Sequence, residues 1–401
     1  MKKILILGAT HNEGLIVERA RKKGIYTIVT DNHEDWSFSP AKYIADEAWN
    51  ISWSDVESLY NKCLLYNING VIAGFSEFRV ENMIKLCEKL SLPCYLTLEQ
   101  LAVTRNKISF KRLCKQYNIT VVPEYTIGDN VKYPVIIKPV DRAGSIGVNV
   151  AYNDEELMTF YQNALLLSPS RQAIIEDFIE DGIKFDVYYL IQYGKPILIG
   201  TSDTIMYGGK CKILQKAWTF PSVYENLFLC EYDCRVKRML DGLGIQNGYA
   251  TLSAFYVKNS LCFFEAGFRL SGELSFNYYQ AITGINYLDF MIDCALGQNV
   301  IRMKQLPIDR GYSIILNFFG KDGTVGYISD IDKILAIDCV ISFRLYIKEG
   351  TVIKNNSSSI LKKIGMCTIY STDRTRIDNI VQYVNDFFVV QDINGESLVY
   401  K

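Results

Sequence analysis

The sequence is short of the side chains that usually announce a metal site. Its 401 residues include two histidines, His11 and His33, and its 11 cysteines contain no Cys-x-x-Cys pair. The tightest spacing, Cys230 and Cys234, has no histidine beside it, so a structural zinc site is not expected. Scattered, odd-numbered thiols fit a reducing compartment. An excess of one charge is also missing: 43 Lys and Arg stand against 44 Asp and Glu, a formal net charge of −1. Without a basic field or a block of like charge, neither nucleic acid nor an anionic membrane is an expected partner. Long apolar runs are absent. Met1–Lys2–Lys3 followed by Ile4–Leu7 imitates a leader, but the run soon meets His11, Asn12 and Glu13. No later segment approaches the roughly 20 apolar residues of a membrane span. A soluble, cytoplasmic protein is expected.

What remains is a globular mixture, 49% hydrophobic and 22% charged, long enough for two or three domains. Ile4–Leu7, a helical stretch over Glu13–Lys23 and Tyr26–Thr30 make a β-α-β opening. Its only glycines in the first turn and helix, Gly8 and Gly14, do not complete the dinucleotide fingerprint Gly-x-Gly-x-x-Gly. Asp31 stands where a ribose-binding acid would, and equally where a turn residue would. Val56–Tyr66 and Val80–Leu90 read as helices, Gly70–Ala73 and Leu92–Tyr95 as strands. Ser76 and Glu77, at a strand end, suit a substrate contact or a helix N-terminus.

A polar helix entry follows at Asn106–Lys107, with Phe110 inside it. Next comes Pro134–Ala151, two short apolar strands around Lys138 and a loop holding Gly144, Ser145 and Gly147. A lysine beside free backbone amides suits a phosphate; an ordinary surface hairpin fits the same residues. Asn153 caps a helix to about Leu167. Ala173–Asp177 is a strand entering an acidic turn. Paired strands follow at Phe185–Gln192 and Pro196–Gly200, then at Tyr249–Val257 and Leu261–Glu265. Glu265 and Arg269 lie four residues apart on one face of an extended segment, a metal acid and a phosphate cation, or a plain ion pair. Beyond about Leu306 the pattern is strand-rich, with one helix at Arg374–Phe387 and no catalytic constellation.

Four of these pieces, in this order, resemble the ATP-grasp superfamily, with likeness to carbamoyl-phosphate synthase large chains and phosphoribosylglycinamide synthetases. They are Asn106–Lys107 with Phe110, the Lys138 strand and its glycine loop, Ile175–Glu176–Asp177, and Glu265 with Arg269. The resemblance implies an α/β and α+β multidomain fold: a pre-ATP-grasp Rossmann-like domain over 1–102, a two-lobed ATP-grasp domain over 103–305 and a small C-terminal β-rich domain over 306–401. It implies ATP and Mg2+ as cofactors, and small-molecule carboxylate and amine substrates as partners, with a homodimer possible. Lys107 and Lys138 then contact ATP phosphates, beneath a closing loop of Gly144, Ser145 and Gly147. Glu176, Asp177 and Ile179 form the hinge whose backbone reads adenine. Lys184 stands where many relatives have a ribose-binding glutamate, with Asp186 near enough to substitute. Glu265 is the metal acid and Arg269 steadies an acyl phosphate. Ser76, Glu77, Asp203 and Ser271–Gly272–Glu273 are implied to face the acceptor.

The chain departs from the family pattern at three places. Ser253 occupies the position of the first metal acid, Gly267 that of the asparagine in Glu-x-Asn-x-Arg, and Ile146 a loop position often held by lysine or arginine. The activity the resemblance implies is that of an ATP-dependent carboxylate–amine or carboxylate–thiol ligase acting through an acyl phosphate. The alternative is an ATP-binding sensor or partner protein that has lost turnover, and a dinucleotide-dependent oxidoreductase is a third reading.

Overall fold

The computed structural model describes residues 1–142, 146–208, 214–303, 310–355 and 361–400. The chain begins with a parallel four-stranded sheet in the order Glu47–Trp49, Tyr26–Thr30, Lys3–Leu7, Gly70–Ile72. Its central strands are fully buried because helices cover both faces, as their unbroken β-branched and leucine runs require. The first helix, His11–Lys22, starts two residues earlier than its apolar pattern suggests. Thr10 and Glu13 form a reciprocal capping box there. Leu92–Tyr95, expected as a strand, is irregular: Pro93 cannot donate to a ladder, and Tyr95 is buried with its hydroxyl donating to the Phe268 carbonyl at 2.9 Å.

Helices Leu98–Arg105 and Lys107–Gln116 lead into a small antiparallel sheet of Glu124–Tyr125, Ala173–Asp177, Val135–Pro139 and Asn149–Ala151. Helix Asp154–Leu167 packs on it around Val135, Ile137, Leu157 and Ile175, a core of its own. The rest of the chain is organised by one eight-stranded antiparallel sheet. Its order is Ser260–Gly267, Gly248–Val257, Ile183–Gln192, Lys195–Met206, Gln215–Phe220, Tyr312–Gly320, Lys362–Ser371 and Val340–Leu345. The C-terminal strands therefore continue the central sheet, Phe220 pairing with Ser313, while packing a separate core with helix Arg374–Phe387.

The largest core is shared across the first two expected domains: Ile4, Val71, Leu252 and Phe290 belong to one buried cluster. Helices Phe276–Thr283 and Tyr287–Ala295, which the sequence reading passed over, close this seam. The mixed α/β, multi-sheet architecture expected from the sequence is the one present.

Candidate active site

A cleft of about 370 Å3 lies on the central sheet, bordered by Glu77 from the first sheet's side and by Lys363 from the C-terminal strands. From the small lobe's side, Lys107 opens its helix under an Asn106 cap and donates from Nζ to the Arg142 carbonyl at 2.8 Å. Burial holds the Lys107 ammonium below its usual pKa; Glu265 opposes that and Lys138 adds to it. Lys138 leaves the Val135–Pro139 strand to pair with the Glu176 carboxylate, and its ammonium lies 5.8 Å from the Phe264 ring, next to Glu265. Lys107 thus lies within electrostatic reach of both Glu265 and Lys138.

Gly144 and Ser145 lie outside the described residues. Gly147 has φ +74°, and a Cβ there would stand 2.8 Å from Leu167 and 2.9 Å from Pro139. Both the left-handed backbone and the close packing require glycine. In the hinge, Glu176 pairs with Ile136 on one side and Glu124 on the other. The Asp177 amide donates to the Pro123 carbonyl and that of Phe178 to Pro134. Backbone available to an adenine edge therefore begins at Ile179, and Asp177 offers its carboxylate to the Tyr125 hydroxyl instead, at 2.6 Å. The Glu176 side chain, 1% exposed, was not foreseen as the counter-ion of Lys138.

On the other lobe, three neighbouring strands place Asp186, Ser253 and Glu265 in one row, Ser253 opposite both acids. The Ser253 hydroxyl donates to Asp186, so a carboxylate from the next strand reaches the position where the family's first metal acid is missing. Lys184 Nζ lies 3.5 Å from Asp186; burial pushes its pKa down, but Asp186, Glu265 and Glu273 together raise it above the usual value. Gly267 shows a similar replacement. A Cβ there would stand 2.8 Å from Glu77 Oε1, so the Glu77 carboxylate from the first domain fills the space of the absent asparagine. Burial raises the Glu77 pKa, with Arg269 opposing and Glu265 reinforcing. Arg269 donates to the Leu270 carbonyl at 3.2 Å, while its Nε is buried without a partner. Among the described residues, no three His, Cys, Asp or Glu side chains are arranged to hold a metal.

Of the implied acceptor contacts, Glu77, Ser271, Gly272 and Glu273 line the cleft. Ser76 and Asp203 do not; Asp203 is buried, accepting from Ser222 Oγ at 2.6 Å and the Val223 amide at 2.8 Å. Phe75, Gln215, Trp218 and Lys363 also line it. Lys363 was invisible to sequence reasoning because only sheet continuity brings its strand here; its ammonium lies 5.8 Å from the Trp218 ring. Burial depresses its pKa, against Glu273.

The first turn is closed to a dinucleotide by the chain itself. The Arg79 guanidinium packs directly over Gly8 and pairs with buried Glu13 at 2.8 Å. Asp31 accepts from Ser39 at 2.8 Å and from the His33 amide at 3.0 Å, a turn-binding role. Although burial pushes its carboxyl up, the bonds from His33 and Ser39 bring it below the ordinary value. No helix among the described residues is long and apolar enough to cross a membrane.

Residues 109–198 match the family model described as the C-terminus of D-ala D-ala ligase. A formate-dependent phosphoribosylglycinamide formyltransferase of Sulfurisphaera tokodaii is 22% identical, over 90% of this chain and 91% of its own. The phosphoribosylglycinamide synthetase of Anaerococcus prevotii superposes with a TM-score of 0.78 at 18% identity, covering 98% of this chain and 99% of that one. The biotin carboxylase domain of Hydrogenobacter thermophilus 2-oxoglutarate carboxylase, solved with MgADP, gives 0.82 at 18% identity, covering 99% and 91%.

Proposed function

Because this chain has the ATP-grasp fold, we propose that it is an ATP-dependent ligase that activates a carboxylate as an acyl phosphate and passes it to an amine or thiol. The observation that carries this reading is that Glu265 borders both the cleft it shares with Arg269 and the small pocket it shares with Lys107, whose ammonium also feels Lys138, so that charged residues of separated segments gather round one acid. Transfer of a γ-phosphoryl group concentrates negative charge, and preformed cations are what stabilise it. Lys107 and Lys138 would hold the phosphates. Arg269, whose Nε has no partner, would face the acyl phosphate. Glu265, with Asp186 behind Ser253, would hold Mg2+, which fits a cation that keeps phosphate and water ligands beside one or two carboxylates. Bound there, the ion supplies charge neutralisation at the phosphoryl oxygens. The adenine would lie along the hinge near Ile179, and the ribose toward Lys184 and Asp186. Gly144, Ser145 and Gly147 would close over the phosphates.

The absence of a three-ligand metal cluster among the described residues favours one second reading, a nucleotide-binding sensor or partner with little turnover. ADP release on adding pooled carboxylates and amines separates the two. The ligase reading expects ADP that depends on both an acid and a nucleophile. In the same assay Lys138→Ala should weaken ATP binding by about 1–3 kcal/mol through loss of a charge-assisted contact. Tight ATP binding with no ADP from any pair leaves the sensor, and unchanged affinity in the variant removes Lys138 from the site.

A further inference from the structure

Lys111 is among the largest fully buried side chains of the chain, yet no part of the reaction above uses it. It lies one helical turn after Lys107, on the same face of helix Lys107–Gln116. Its ammonium pairs with Glu176 and donates to the Val122 carbonyl at 2.6 Å. The other Glu176 oxygen pairs with Lys138. One buried carboxylate is therefore shared by two lysines, of which only Lys138 can face phosphate. Glu124 is the remaining acid close by, at 3.6 Å from Lys111, but it already pairs with Lys115.

We propose that Lys111 is a positioning residue for the nucleotide: it neutralises Glu176, so that Lys138 keeps its positive charge available to the ATP phosphates. The inference rests on the ATP-binding reading of this cleft. Its logic is charge balance in a poorly screened place. Glu176 and Lys138 alone would be a neutral buried pair, with little field to offer an anion, whereas Lys111 leaves the trio one net positive charge. The carboxylate still serves a purpose, since it ties the Lys107 helix to the small-lobe sheet through Lys111 and Lys138. The Glu176 carboxyl behaves as a shared counter-ion should: burial pushes its pKa up, but Lys138 and Lys111 together bring it below the ordinary value.

Calorimetry with ATP and, separately, with adenosine tests the proposal on the full chain. Lys111→Met should weaken ATP at least about tenfold, as loss of one charge-assisted contact would, and leave adenosine affinity unchanged. Lys111→Arg should retain ATP affinity. The decisive variant is the pair Lys111→Met with Glu176→Gln: with no carboxylate to hold it, Lys138 is free again, and most of the ATP affinity should return. A merely structural lysine predicts the opposite, a double variant at least as weak as the single one. Lys111→Gln, which can still donate to the Val122 carbonyl but carries no charge, should weaken ATP as Lys111→Met does, which keeps the test open if Lys111→Met folds poorly. Unchanged ATP affinity in Lys111→Met, or no recovery in the double variant, overturns the inference while leaving the ligase reading in place. Failure of the unaltered protein to bind ATP overturns both.

Discussion

Ser253 and Gly267 are each the wrong residue at a position whose backbone is right, and each is answered by a carboxylate from elsewhere. Asp186 reaches Ser253 from the adjoining strand, and Glu77 reaches Gly267 from another domain. Neither replacement is legible in one dimension, because sequence spacing carries no information about which strand lies beside which. The places of Lys107, Lys138 and Glu265 in the fold were legible, since each sits in a local pattern of its own: a capped helix start, a β-branched strand before proline, a strand end. The metal role proposed for Glu265 yields a direct expectation. Glu265 is exposed to the cleft, so Glu265→Gln should cost the fold little, within about 0.5 kcal/mol for a surface change. Magnesium-dependent ADP release should be lost. Assaying ADP against magnesium concentration, with a thermal melt as control, checks both halves; retained turnover would mean that the ion is held elsewhere.

Among elements, the small-lobe hairpin shows how far local pattern reaches. Its strands were readable from Val135–Ile137 and the residues around Val150, and the observed pairing of Val135 with Ala151 agrees. The tight fit at Gly147 was not readable, because Leu167 comes from the end of the following helix. Gly147→Ala should therefore act twice. The left-handed backbone costs a side chain about 1–2 kcal/mol, and the methyl group must displace Pro139, the residue after Lys138. Denaturant unfolding should show a loss of about 1–3 kcal/mol, and ATP affinity should fall with it because the Lys138 strand end shifts. A stable variant with unaltered affinity would show that the hairpin end is not coupled to phosphate binding. Helices Tyr287–Ala295 and Phe276–Thr283 were missed for the complementary reason. Tyr287–Ala295 buries seven of its nine residues, so its polar face narrows to Asp289 and Asp293, and Phe276–Thr283, only eight residues long, is too short to show a clear period.

For the whole molecule, one buried core runs across the boundary expected at 102, whereas the residues beyond 305 share the central sheet but pack a core largely their own. The first domain's sheet and the central sheet share one buried cluster, and the Arg19–Asp289 and Lys23–Asp293 pairs tie the same seam from outside. Gly70 marks a close approach across it. It is buried on the edge strand of the first sheet, and a side chain there would run into the Ala295 carbonyl, a backbone atom that cannot swing aside. Gly70→Ala should cost about 1–3 kcal/mol through overpacking. Because the strain falls on a shared core, residues on both sides should lose stability together. Calorimetry should give one lowered transition. Hydrogen exchange should quicken in both Tyr26–Thr30 and Gly248–Val257, strands from opposite sides of the seam. Two separated transitions, with only the first sheet affected, would restore the boundary at 102 as a true folding boundary. A single one would mean that Glu77 is held at Gly267 by the same core that holds Glu265, as a site assembled from two domains requires.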